Sequence, residues 1–143
     1  MALKAAVPRS PVDIFVAGEW QVLQTQRLNT LLTGPHDLME AALKMLWPRL
    51  EPPLYEWASV AEVSAPGGAM TVLIRDVDTL SADQQRIVLA WLDGTDPRHH
   101  IQVVSTAPVD PYSLVERGVF LRRLYYRLNV LRLDSSTMIG NAT

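Results

Sequence analysis

The side chains able to do chemistry fall at a few points of the 143-residue sequence. Asp76 and Asp78 follow the apolar run Thr71-Val72-Leu73-Ile74. Two carboxylates at a strand end are one way to hold a divalent cation. Arg75 stands directly before them, and its charge favours the other reading, strand-end carboxylates in local ion pairs. Asp96, His99 and His100 are a second, weaker metal candidate. The turn Gly94-Thr95-Asp96-Pro97 places them on a surface loop, so no metal is expected there. Arg117, Arg122, Arg123, Arg127 and Arg132 crowd the C-terminal third, against Glu116 alone in that stretch. They form either an anion- or partner-docking face or, more plainly, a solvated helix surface. Tyr125-Tyr126 reads as packing and interface. The chain has no cysteine, which excludes disulfides, thiolate metal sites and cysteine nucleophiles. Gly-x-Ser-x-Gly and His-Glu-x-x-His are both absent, so the common hydrolase patterns are too.

These residues need elements to position them. The composition, 48% hydrophobic and 20% charged, is that of a chain that folds and buries a core. Thirteen basic and 15 acidic residues leave a net charge of −2, against a nucleic-acid binder that relies on overall positive charge. Residues 1–28 read as a lead-in, with a short strand over 14–16 and a weak helix over 19–28. Leu31-Leu32-Thr33-Gly34-Pro35 is a buried strand running into a breaker. Residues 37–47 repeat apolar positions at spacings of three and four, the stripe of an amphipathic helix. A strand is expected over 54–60, and the apolar, β-rich 71–74 suits a central strand covered on both faces. Ser81 and Gln84 form a capping box for a helix over 81–92 that buries Ile87, Val88 and Trp91. A strand over 101–105 follows. Asp110-Pro111 starts a helix ending at Gly118. A helix over 120–128 has Phe120, Leu124 and Leu128 as its core stripe. Val130, Leu131 and Leu133 form a last strand, and 135–143 a loose tail. Strands alternating with short helices predict an α/β domain with a mostly parallel sheet. No apolar run approaches the ~20 residues needed to cross a bilayer, and a cytoplasmic protein is expected.

Three stretches carry a family resemblance. Residues 68–80, GAMTVLIRDVDTL, resemble "GGTLFLDEIDEL", the Walker B strand and turn of the AAA+ domain of sigma-54-dependent transcriptional activators. Residues 101–107, IQVVSTA, resemble that family's sensor I strand, "VRVIAATN". Residues 114–130, LVERGVFLRRLYYRLNV, resemble "LVAEGRFREDLYYRLNVV" and are the most specific of the three. Upstream, Leu31-Leu32-Thr33-Gly34 with residues 37–43 resembles "LITG…ELVARAI". The resemblance covers most of residues 29–133. It implies a degenerate AAA+, P-loop NTPase-like core over 29–134: a five-stranded, mostly parallel sheet flanked by helices, without the helical lid.

The same resemblance implies that the chemistry has changed. A P-loop needs Gly-x-x-x-x-Gly-Lys-Ser/Thr to cradle phosphates, neutralise them and hold Mg²⁺. Here the Walker A region is Gly34-Pro35-His36-Asp37, about four residues shorter than that pattern requires. The only lysines are Lys4 and Lys44. Pro35 removes a backbone donor, and Asp37 brings negative charge. Arg75 takes the place of the Mg²⁺-binding aspartate and Asp76 that of the catalytic glutamate. Ala107 stands for the sensor I asparagine. Leu121 replaces the first arginine-finger position, while Arg127 matches the second. The sigma-contacting loop has no counterpart. The expectation is a catalytically inactive module with no cofactor and no direct DNA binding. It would interact with an AAA+ activator, another transcription regulator or itself, through a face including Arg122, Arg123, Tyr125 and Tyr126. The alternative is a sensor that binds a nucleotide or another anion without hydrolysis.

Overall fold

The computed structural model describes residues 27–58, 60, 68–95 and 100–135. The short strand over 14–16 and nearly all of the helix over 19–28 lie outside them. Strand β1, Thr30–Thr33, is buried throughout. Gly34 follows at φ 139°, a conformation open to glycine, and helix α1, His36–Leu46, starts immediately after Pro35. A 3₁₀ turn, Trp47–Arg49, ends that helix at Pro48. Strands β2, Leu54–Glu56, and β3, Thr71–Ile74, come next. A 3₁₀ turn at Val77–Thr79 leads to helix α2, Ala82–Gly94. Strand β4, Gln102–Ala107, precedes the short helices α3, Tyr112–Glu116, and α4, Arg122–Leu128. Strand β5, Leu131–Asp134, is the last.

The five strands form one sheet in the order β2-β3-β4-β1-β5. Every neighbouring pair is parallel. Successive side chains of a strand point to opposite faces, and here both faces are covered. Leu31, Val72, Ile74 and Val103 face one core with Val88 and Leu92 of α2 and Leu124 and Leu128 of α4. Leu32, Leu73 and Val104 face the other, with Met39, Ala42, Leu43 and Leu46 of α1. This double burial explains why consecutive apolar residues, Leu31-Leu32, Val72-Leu73-Ile74 and Val103-Val104, stand within β1, β3 and β4. Leu124 and Leu128 are almost fully enclosed, and each contributes about 1.5–3 kcal/mol of transfer free energy.

The capping box of α2 forms in both directions: Gln84 N–H donates to Ser81 Oγ, and Ser81 N–H donates to Gln84 Oε1. Three expectations need correction. Strand β2 ends at Glu56 rather than 60. Trp57 still donates its N–H to Leu73 O at 2.9 Å, but its ring turns into the core, 5.2 Å from that of Trp91. Helix α2 does not bury Ile87, which is 38% exposed; Gln85 is buried instead. The glutamine amide satisfies backbone groups that an isoleucine would leave unpaired. Its Nε2 donates to Leu80 O and Val119 O, and its Oε1 accepts from Leu121 N–H. Ser135, first residue of the expected tail, is buried and donates to Thr33 O at 2.8 Å. Among the described residues, no helix is long and apolar enough to cross a membrane.

Candidate functional site

In a parallel α/β sheet, ligands are taken up outside the carboxyl ends of the strands. The register sets Thr33 beside Ala107 and Ile74 beside Ser105, so the residues after β1, β3 and β4 meet at one edge. A cavity of about 190 Å³ lies there, lined by Gly34, His36, Met39, Glu40, Arg75, Asp76, Thr106, Ala107 and Pro108. Sites for drug-sized ligands run from about 300 to 1,000 Å³. The structure thus gathers Gly34, His36, Arg75, Asp76 and Ala107, which the sequence had spread over 74 positions.

The backbone of the first turn is largely committed. Gly34 N–H is shared between Ala107 O at 3.2 Å and Pro108 O at 3.1 Å. Pro35 O accepts from Met39 N–H at 2.8 Å, and α1 therefore begins with no intervening loop. No side chain caps that helix, and Asp37 stands in its first turn. Ala107 is buried at the end of β4. Beside it, Thr106 Oγ1 accepts from Asp76 N–H at 2.9 Å. Asp76 itself is left-handed, at φ 53°, so its exposed carboxylate leaves the strand direction.

Arg75 governs the electrostatics. Its Nη1 is ion-paired with Glu40 of α1, and its Nε with Glu56 Oε2 of β2 at 2.8 Å. Burial works against the guanidinium charge, but Glu40 and Glu56 outweigh it and hold the pKa above its ordinary value. Asp78 does not join this arrangement. Its Oδ1 is buried without a partner, and desolvation, with Asp76 nearby, raises its pKa. Among the described residues, no three histidine or carboxylate side chains gather in a way that could hold a metal ion. Asp96 and His99 lie outside the described residues. The ring of His100 meets Arg27 O at 2.9 Å through Nε2.

The remaining candidates lie on α4 and do not line the cavity. Arg127 is ion-paired with Asp93 and donates to Leu92 O at 3.1 Å. A cation at the last turn of α2 also suits the helix dipole. Arg123 shares Asp93, at 3.0 Å. Tyr125, expected on an interaction face, is only 6% exposed. Its hydroxyl donates to Asp110 Oδ1 at 2.9 Å and accepts from Asn129 Nδ2 at 3.0 Å, and Arg132 closes the network on Asp110 Oδ2 at 2.6 Å. Arg122, Arg123 and Tyr126 are exposed.

Sequence reasoning missed Glu40, Glu56, Asp93, Asp110 and Gln85. One signal was available for Glu40. It stands four residues after His36, on the same side of α1, and an arginine closing an apolar strand needs a carboxylate within reach.

The fold is a three-layer α/β domain of the AAA+ type, with the cavity at the carboxyl ends of β1, β3 and β4. The family model of the Sigma-54 interaction domain matches residues 36–137, and the chain belongs to that family. A crystal structure of NtrX from Brucella abortus in complex with ADP superposes with a TM-score of 0.64 at 14% identity. It covers 90% of this chain and 36% of that one. The same protein in complex with ATP gives the same figures. A third NtrX structure, also at TM-score 0.64 and 14% identity, covers 91% and 37%. At this identity the likeness speaks for the fold, and the chain spans little more than a third of those proteins. No curated protein matches the sequence.

Proposed function

We propose that this chain is a nucleotide-silent member of the Sigma-54 interaction domain family, acting through protein contacts in transcription regulation. The observation that carries the reading is the Arg75 clamp. By the family resemblance the guanidinium takes the place of a Mg²⁺-binding aspartate, and Glu40 and Glu56 hold it there. At about 4 Å and an effective dielectric of about 20, a divalent cation beside it meets about 8 kcal/mol of repulsion. Taken alone, before Glu40 and Glu56 are counted, that term is as large as the binding energy of a ligand with a Kd of about 1 μM. Glu40 and Glu56 attract the same cation from where they stand and offset much of this repulsion, so the clamp acts chiefly by filling the place with a guanidinium and engaging an oxygen of each carboxylate.

Other features point the same way. The Gly34 N–H is spent on Ala107 and Pro108. No lysine follows Gly34 before Lys44, which lies two turns into α1. Ala107 offers no polar side chain to orient a water. Partners suited to such a domain are an AAA+ activator, a sigma factor or RNA polymerase assembly, or a second copy. Arg127, already engaged by Asp93, is not a free finger for a neighbour in this conformation.

A second reading has its own support. The uncapped start of α1 and Arg75 border one cavity, a combination that suits a small anion. Isothermal titration calorimetry with ATP and ADP, with and without Mg²⁺, tests both. No heat of binding is the expected result. Micromolar Mg·ATP binding with turnover refutes the proposal, and Mg²⁺-independent binding without turnover supports the anion sensor instead.

A further inference from the structure

We infer that the outer face of α4, with the loop leading into it, docks a protein segment that presents carboxylates beside apolar side chains. This inference rests on the interaction reading above and adds the chemistry of the partner.

Exposed apolar side chains concentrate there. Val119, Leu121, Tyr126 and Val130, each 36–56% exposed, all fall within residues 119–130, whereas Met45, Ile87 and Val109 lie elsewhere in the sequence. Clustered apolar exposure marks interaction surfaces, where scattered exposure does not. The backbone beneath is pinned, because buried Gln85 holds both Val119 O and Leu121 N–H. A pre-organised surface loses less entropy on binding.

Charge decides the partner. Arg123 and Arg127 are taken by Asp93, and Arg132 by Asp110. Arg117 and Arg122 have no carboxylate partner among the described residues. Arginine and tyrosine together supply much of the binding energy at protein interfaces, and a planar guanidinium matches a carboxylate in two-point contact. Nucleic acid is the weaker match. Its binding draws on many neutralised phosphates, and this face offers two unpaired cations on a chain of net charge −2.

The test titrates the full chain against a fluorescein-labelled acidic amphipathic peptide of Leu, Phe, Glu and Asp, read by anisotropy. The same peptide with Lys for Glu and Asp, and a duplex DNA, run in parallel. Saturable binding of the acidic peptide alone is expected. Arg117→Ala with Arg122→Ala, and separately Tyr126→Ala, should each weaken it about tenfold or more. Arg86→Ala, on exposed α2 beside Asp83, should leave it unchanged, and thermal melts establish that each variant folds. Absence of acidic-peptide binding, equal binding by the arginine variant, or preference for the basic peptide or DNA overturns the inference. So does self-association that the arginine variant abolishes, which assigns the face to a second copy. Mg·ATP binding in a separate titration counts against the nucleotide-silent reading, while the variants still decide the docking face.

Discussion

Replacing Arg75 with methionine removes the cation while keeping much of the side chain's bulk. Arg75 and Glu40 are each 35% exposed and Glu56 is 41% exposed, so both ion pairs are partly screened. Pairs of this kind contribute about 0.2–1 kcal/mol each. Two carboxylates left about 5 Å apart in a near-aqueous dielectric repel by about 1 kcal/mol. Together these give a loss of about 1–3 kcal/mol, or a Tm lower by roughly 3–10 °C for a domain of this size. Urea denaturation of wild type and Arg75→Met measures it directly. Adding Glu40→Gln and Glu56→Gln should recover about 1 kcal/mol of the loss, the part due to repulsion between the orphaned charges. Molar salt should narrow the gap by screening. An Arg75→Met variant as stable as wild type, or a triple variant less stable than the single one, refutes the clamp.

Three further outcomes follow from the packing. Gln85→Leu leaves the Leu80 and Val119 carbonyls and the Leu121 N–H without their side-chain partner. It should cost about 2–4 kcal/mol in urea denaturation, since each buried orphan costs about 1–3 kcal/mol. Tyr125→Phe removes the hydroxyl between Asp110 and Asn129 and should cost about 1 kcal/mol. For Asp93, desolvation pushes the carboxyl pKa up, but hydrogen bonds from Arg127 and then Arg123 outweigh it and the net shift is downward. A depressed folded-state pKa gives stability that is present above the unfolded carboxylate value and lost as pH falls through the folded one. Melts of wild type and Asp93→Asn should therefore differ at neutral pH and converge in strong acid.

The sequence carried the frame well where physics is local. The apolar pairs Leu31-Leu32 and Val103-Val104 and the run Val72-Leu73-Ile74 announce strands covered on both faces. Ser81 and Gln84 announce the start of α2 because a capping box needs only its own four residues. The edge strand was overextended at 57–60 because tertiary packing turns Trp57 inward against Trp91. The burial of Gln85 was invisible because its partners, Val119 and Leu121, are more than thirty residues away. Much the same holds for the site. Arg75 drew attention by its position, but Glu40 and Glu56 are 35 and 19 residues from it and meet it only through the sheet. Tyr125-Tyr126 reads from the sequence as packing and interface, and only the Asp110–Asn129–Arg132 network assigns Tyr125 to the packing half of that reading.

The most direct measurement is an NMR titration of the ¹⁵N-labelled chain with Mg·ATP to millimolar concentration, following the amides of Gly34, His36, Asp76 and Thr106. With Arg75 clamped between Glu40 and Glu56, no saturable shift is expected at these positions. A saturable shift of all four at micromolar ligand contradicts the nucleotide-silent reading.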